Sequence, residues 1–161
     1  MIVVFEGLIM SFWLLLICVV GISNGAVGLV CFYEKDVQDR VVELGLISKE
    51  KLKRNTAFAG AALWLADLFA VPAMVYGING ASGFTQGFMQ MFIIYMIMNI
   101  FDRLFIDVYW VGHTKTWIIP GTEDLMPYIP LKVHIKKWVG TIMLFSIVSA
   151  AIAGLMQLFM K

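Results

Sequence analysis

The residues best able to do chemistry lie close together: Asn99, Asp102, Arg103 and Asp107 interrupt an otherwise apolar and aromatic stretch of the chain. An Asp or Arg at the centre of an apolar membrane helix costs about 2.5–3.5 kcal/mol on the insertion scale, so each needs a partner or a task. On an α-helix these four share one side with Tyr109 and His113, within an arc of roughly 160°. Phe101, Leu104, Phe105 and Val108 fall on the other side. Asp67 is the one other acid deep in an apolar run. Counting helical rise from the charged loops sets it level with Asp102 and Arg103, which predicts an ion pair from Asp67 to Arg103 across two helices. Asn99 and Asp107 each lie one turn from the same guanidinium. One Arg facing three carboxylates leaves surplus negative charge, so water or a bound cation must enter, or a carboxyl must keep its proton. The chemistry expected of Asp67, Asn99, Asp102, Arg103, Asp107, Tyr109 and His113 is reversible binding of a proton, a cation or a small cationic solute.

Such residues need a scaffold that hides them. The 161 residues are 61% hydrophobic and 14% charged, with a mean hydropathy of +0.87; soluble domains have about 45–50% apolar and about 25% charged residues. The fold expected is an all-α integral membrane protein, one domain over 1–161 with no separate soluble part. Apolar segments at 7–32, 57–78, 88–110 and 139–160 each meet the ~17–25 residues that a span requires. They predict four transmembrane helices in one bundle. The first is too long for a straight crossing and should tilt or break at Gly21-Ile-Ser-Asn-Gly25, which could equally serve as a packing seam. In the last, Ser146, Ala150 and Gly154 recur at four-residue spacing and predict a close-packed stripe.

Lys and Arg orient the bundle. Lys35, Arg40, Lys49, Lys51, Lys53 and Arg54 lie in the loop 34–55, and Lys115, Lys132, Lys136 and Lys137 in the loop 113–138, whereas the connection between the second and third segments has none. The positive-inside rule makes both loops cytoplasmic and puts the N- and C-termini outside, with Lys161 on the far side. Loop one should hold a short amphipathic helix with Val37, Val41 and Leu44 on one stripe, Asp36 as its cap and Gly45 as its stop; Ser48 then caps the next helix. Loop two begins where the polar face of the third segment reaches the cytoplasm. Stiffened by Pro120, Pro127 and Pro130, it reads as a lid bearing Trp117, Glu123 and Asp124, with Thr122 capping a short helix.

Other classes are excluded or unsupported. A net charge of +1 without a basic block away from the helix ends gives no footprint for nucleic acid. Walker, dinucleotide-binding and nucleophile-elbow motifs are lacking, and Cys18 and Cys31 form no C-x-x-C pair. His113, His134, Glu123, Asp124 and Asp107 show no metal-site spacing, so neither a metal nor a cofactor is expected. The N-terminus lacks the basic region of a signal peptide, and the first helix should be retained. The expectation is a transport-related protein of the lipid bilayer that works as a homo-oligomer or in a larger membrane complex. An enzyme of the cytoplasmic leaflet, using Asp107, His113, Glu123 and Asp124, is the less favoured alternative, beside a non-catalytic assembly or regulatory subunit.

Overall fold

The computed structural model describes residues 1–159, and every regular element among them is helical. Met160, expected to end the fourth span, and Lys161, expected beyond it on the far side, lie outside the described residues. Three helices are long and apolar enough to cross a membrane: α1 (Ile2–Gly21), α3 (Lys49–Ile78) and α5 (Leu131–Phe159). Between them lie the short α2 (Lys35–Glu43) and the central helix α4, which runs as Gly83–Phe101 and continues through Asp102–Val111. α4 packs against both α1 and α5, and its Met91, Ile94 and Tyr95 are wholly buried.

The first apolar run divides differently from the expected 7–32. α1 has 20 residues, about 30 Å at 1.5 Å per residue, which equals the apolar thickness of a bilayer. Beyond it the chain turns at Gly25 (φ +98°) and folds back through a 3-10 segment, Ala26–Phe32. A break at Gly21–Gly25 is therefore present, but not as a packing seam: Leu29 covers Gly21, and a Cβ on Gly28 would collide with the Gly21 carbonyl. The seam of α1 lies elsewhere. Its buried stripe includes Gly7, Ser11 and Cys18, and a Cβ on Gly7 would stand 2.7 Å from that of Ile97 on α4.

Loop one forms the expected short helix, stopped at Gly45 (φ +70°), with Val37 and Val41 buried. Leu44 does not join that stripe; as the C-cap it falls past the last turn and is exposed. Asp36 does not occupy the N-cap position, which belongs to Glu34, although its carboxylate accepts the Val37 N–H at 2.8 Å. Ser48 caps α3 by accepting the Lys51 N–H at 3.2 Å. α5 begins at Leu131, directly after Pro130, so Lys132, Lys136 and Lys137 belong to its first turns and not to loop two. Its buried stripe is Phe145, Ser149 and Ala153, one residue out of phase with the expected Ser146, Ala150 and Gly154. The cause is aromatic: Phe145 stacks on Tyr95 with ring centroids 4.5 Å apart, and that contact sets the rotation of the helix.

The fold-back predicts an asymmetry between glycines. Gly28→Ala should lower the unfolding free energy in mixed micelles by about 1–3 kcal/mol, the usual penalty of overpacking. Gly154→Ala, where a Cβ meets open space, should stay within about 0.5 kcal/mol. Equal effects, read by circular dichroism, would count against the packed fold-back.

Candidate functional site

α4 changes its winding where its charges begin. From Asp102 to Val111 the helix is π-helical, with i→i+5 hydrogen bonding, and that stretch buries Arg103, Ile106 and Asp107. Arg103 Nη1 lies 3.0 Å from Asp102 Oδ2 and also pairs with Asp107. Lys137, on the second turn of α5, reaches the same Asp107 oxygen at 3.3 Å. Two cations and two carboxylates thus close into one network, Asp102–Arg103–Asp107–Lys137. The Arg103 Nε has no hydrogen-bond partner among the described residues, which leaves part of the guanidinium fork unused.

Asp67 stands apart from this network. The expected ion pair to Arg103 is not formed, and Asp67 takes part in no ion pair among the described residues. Lys137 is the reason: it supplies the second cation, so the network is neutral without help from α3. Asp67 is only 5% exposed, within a π-helical turn, Ala66–Ala70. A second such turn, Ala73–Ile78, follows Pro72, whose ring lacks an N–H and crowds the carbonyl four residues earlier. The Asp67 backbone oxygen accepts the Tyr95 hydroxyl at 2.6 Å. One turn further along α4, the buried Asn99 donates to the Tyr95 carbonyl at 2.9 Å. Asp67, Tyr95 and Asn99 therefore form a polar step between α3 and α4, distinct from the ionic network.

The remaining residues divide. Tyr109 is exposed and tilts against Phe105, with centroids 5.7 Å apart. It lay at the edge of the polar arc, and π winding, which takes more residues per turn, carries it outward. His113 sets its Nδ1 2.7 Å from the Val108 carbonyl oxygen and lines a small cavity of about 160 Å³ with Asp107, Tyr128 and His134. Met126 to Ile129 roof that cavity, so the covering part of loop two is this segment and not Trp117, Glu123 or Asp124. Among the described residues no three His, Cys, Asp or Glu side chains converge as metal ligands would.

Trp117, Glu123 and Asp124 instead bind loop two to loop one or to itself. Asp124 pairs with Arg40 of α2 at 3.2 Å. Trp117 is buried edge-on against Trp110, and its carbonyl accepts the Tyr33 hydroxyl at 2.6 Å. Burial, and then the neighbouring Tyr128, push the Tyr33 phenol above its usual range, so it keeps its proton and remains a donor. Thr122 holds the expected N-cap position of Glu123–Leu125, but its side chain makes no capping bond there; its hydroxyl donates to the Ile119 carbonyl at 2.8 Å and lies 2.8 Å from the Tyr128 hydroxyl. Glu123 accepts the Gly121 N–H at 2.8 Å.

One polar cluster went unread in the sequence. Glu6, buried at 4% exposure, accepts from Asn79 Nδ2 at 2.9 Å, and the same amide donates to Gln90 at 2.9 Å. Its signal in the sequence is a single carboxylate ahead of an apolar run, which a first span beginning at residue 7 leaves outside. Extending it to Ile2 would have put Glu6 on the stripe of Met10, Ser11 and Leu14.

The network predicts unequal costs. Arg103→Met, which leaves Asp102 and Asp107 facing each other, should destabilise by about 3–5 kcal/mol, as breaking buried pairs does. Lys137→Met should cost less, because its side chain is 27% exposed. Adding Asp107→Asn to Lys137→Met should recover part of that loss. Unfolding free energies in mixed micelles measure all three, and additivity in the double variant would count against the shared contact.

No family model, curated protein or solved structure matches the chain.

Proposed function

We propose that the chain crosses the bilayer four times, with α4 as the fourth crossing beside α1, α3 and α5, and that it is transport-related, handling a proton, a cation or a small cationic solute. The observation that carries this reading is Asp67. It is a buried carboxylate on a helix long and apolar enough to span, with no ion-pair partner among the described residues. The ionic network is already balanced and leaves Asp67 without an opposing charge. The buried Glu6 of α1 also lacks one but accepts a hydrogen bond from Asn79, whereas among the described residues no hydrogen bond reaches the Asp67 carboxylate. Ionisable groups within spans are most often found on ion or proton pathways. Gln90, Tyr95, Asn99, Arg103 and Asp107 recur along α4 every four or five residues, which supports a polar route along the helix. The Lys and Arg of loop one, together with those of loop two and the first turns of α5, make that side cytoplasmic and leave both termini outside. Four spanning helices of this size enclose little space, so the working form is an oligomer or a complex with a larger membrane partner.

A second reading, an enzyme at the cytoplasmic leaflet, draws on the cavity where His113 and His134 flank Asp107. The two readings separate cleanly. In proteoliposomes, proton or monovalent-cation flux should fall to background in Asp67→Asn and persist in Lys115→Ala. Undiminished flux in Asp67→Asn would end the transport reading. A catalytic activity lost in His134→Ala and spared in Asp67→Asn would establish the enzyme.

A further inference from the structure

A second hollow lies away from Asp67 and from the ionic network of Asp102, Arg103, Asp107 and Lys137. Between α1, the 3-10 segment and α3 runs a groove of about 780 Å³, within the ~300–1,000 Å³ range of small-molecule sites. Its body is apolar, with Leu16, Val20, Phe58 and Ala59 among its walls. Leu16, Val20 and Phe58 are 52%, 63% and 72% exposed, so the groove opens sideways along the helices. At one end Trp13 closes it, its indole N–H donating to the Ala62 carbonyl across the two helices at 3.2 Å. At the other end are Asn24, Asn55 and Lys51, and among the described residues Lys51 is the only charged one lining it.

The proportions identify the occupant. From Lys51 to Ala62 the groove follows α3 for eleven residues, about 16 Å at 1.5 Å per residue. That is roughly half the ~30 Å apolar thickness of a bilayer, the depth of one leaflet. One lipid tail placed tip-down at Trp13 therefore brings its headgroup to Lys51. The charge there is positive and reinforced: Arg54 lies one turn on, and Lys49 and Lys53 stand beside it on the same helix end. Asn55 spends its amide N–H on the Gly28 carbonyl at 2.9 Å, which fixes the fold-back that walls the groove.

We infer that this groove is a binding site for an anionic phospholipid of the leaflet that the charged loops face, with one acyl chain lying between α1 and α3 and the phosphate at Lys51. The site rests on the proposed bilayer crossing by α1 and α3, and it is independent of ion flux.

The whole chain, reconstituted in vesicles, tests it directly. Phosphatidylglycerol and phosphatidylcholine carrying a photoactivatable diazirine at the tail are supplied at equal mole fraction, and the labelled residues are mapped by mass spectrometry. Labelling at Trp13, Phe58 and Ala62 should favour phosphatidylglycerol by about fivefold, the factor one basic residue is worth at an anionic surface. Lys51→Gln should bring that ratio close to one, and Lys51→Arg should keep it. Ile147, exposed on α5, serves as the control and should be labelled equally by both lipids. Equal labelling of the groove by both would mean ordinary boundary lipid and overturn the site. An unlabelled groove beside a labelled Ile147 would mean that a second copy or partner covers it, and would overturn it too. Should Ile147 also stay unlabelled, the chain is not in the bilayer, and the proposed crossing fails together with the site.

Discussion

Arg103 is a permanent cation with a side chain only 9% exposed, and taking such an ion out of water without compensation costs several kcal/mol. Much of the architecture follows from satisfying it. Asp102 and Asp107 answer it from its own helix, but two carboxylates overshoot one guanidinium, so a second cation has to arrive from elsewhere. Lys137 provides it. For Lys137 to stand beside Asp107, α5 must begin well before its apolar stretch and run its first turns alongside the end of α4. That leaves loop two only the path from Thr114 to Pro130, with Met126 to Ile129 lining the cavity that Asp107 also lines. The early start of α5 and the short course left to loop two both accord with this one electrostatic demand.

The loosened winding of α3 and α4 is the second organising feature. Both helices turn π-helical where they carry Asp67 and where they carry Asp102 to Asp107. A wider turn redirects side chains relative to an α-helix and alters the set of carbonyls engaged within the helix. At Asp67 the backbone oxygen takes a hydroxyl from Tyr95; along α4, Arg103 and Asp107 are turned inward while Tyr109 faces out. The polar residues are therefore held by helix distortion as well as by their mutual contacts.

Patterns that depend on composition and local turn chemistry could be read from the residues alone: the helical class, the short helix ended by Gly45, the cap at Ser48, and the gathering of Asn99, Arg103 and Asp107 on the inner side of one helix. What escaped was whatever depends on partners distant in the chain. The Asp67 to Arg103 pairing follows from the residues only when Lys137 lies in a loop, and Lys and Arg at the edge of an apolar run mark a boundary on the hydropathy scale while still continuing the helix. The stripe of α5 was one residue off because Ser, Ala and Gly at four-residue spacing outweighed the single large Phe145, whose stacking on Tyr95 could not be foreseen. Tyr109 failed for a different reason. A wheel drawn for an α-helix misplaces residues once the winding changes, and no residue type in 102–111 announces that change.

Loop one and loop two are joined by the Tyr33 hydroxyl and the Trp117 carbonyl, 84 residues apart, and by Arg40 and Asp124, also 84 apart. Ribosomes add about 5–20 residues per second. Every newly made copy thus passes through an interval of roughly 4–17 s in which α2 has emerged and these loop-two partners do not yet exist. During synthesis α2 can settle at once on the 3-10 segment Ala26–Phe32, made before it, while the Tyr33 hydroxyl and the Arg40 guanidinium must find water or headgroup partners until loop two follows.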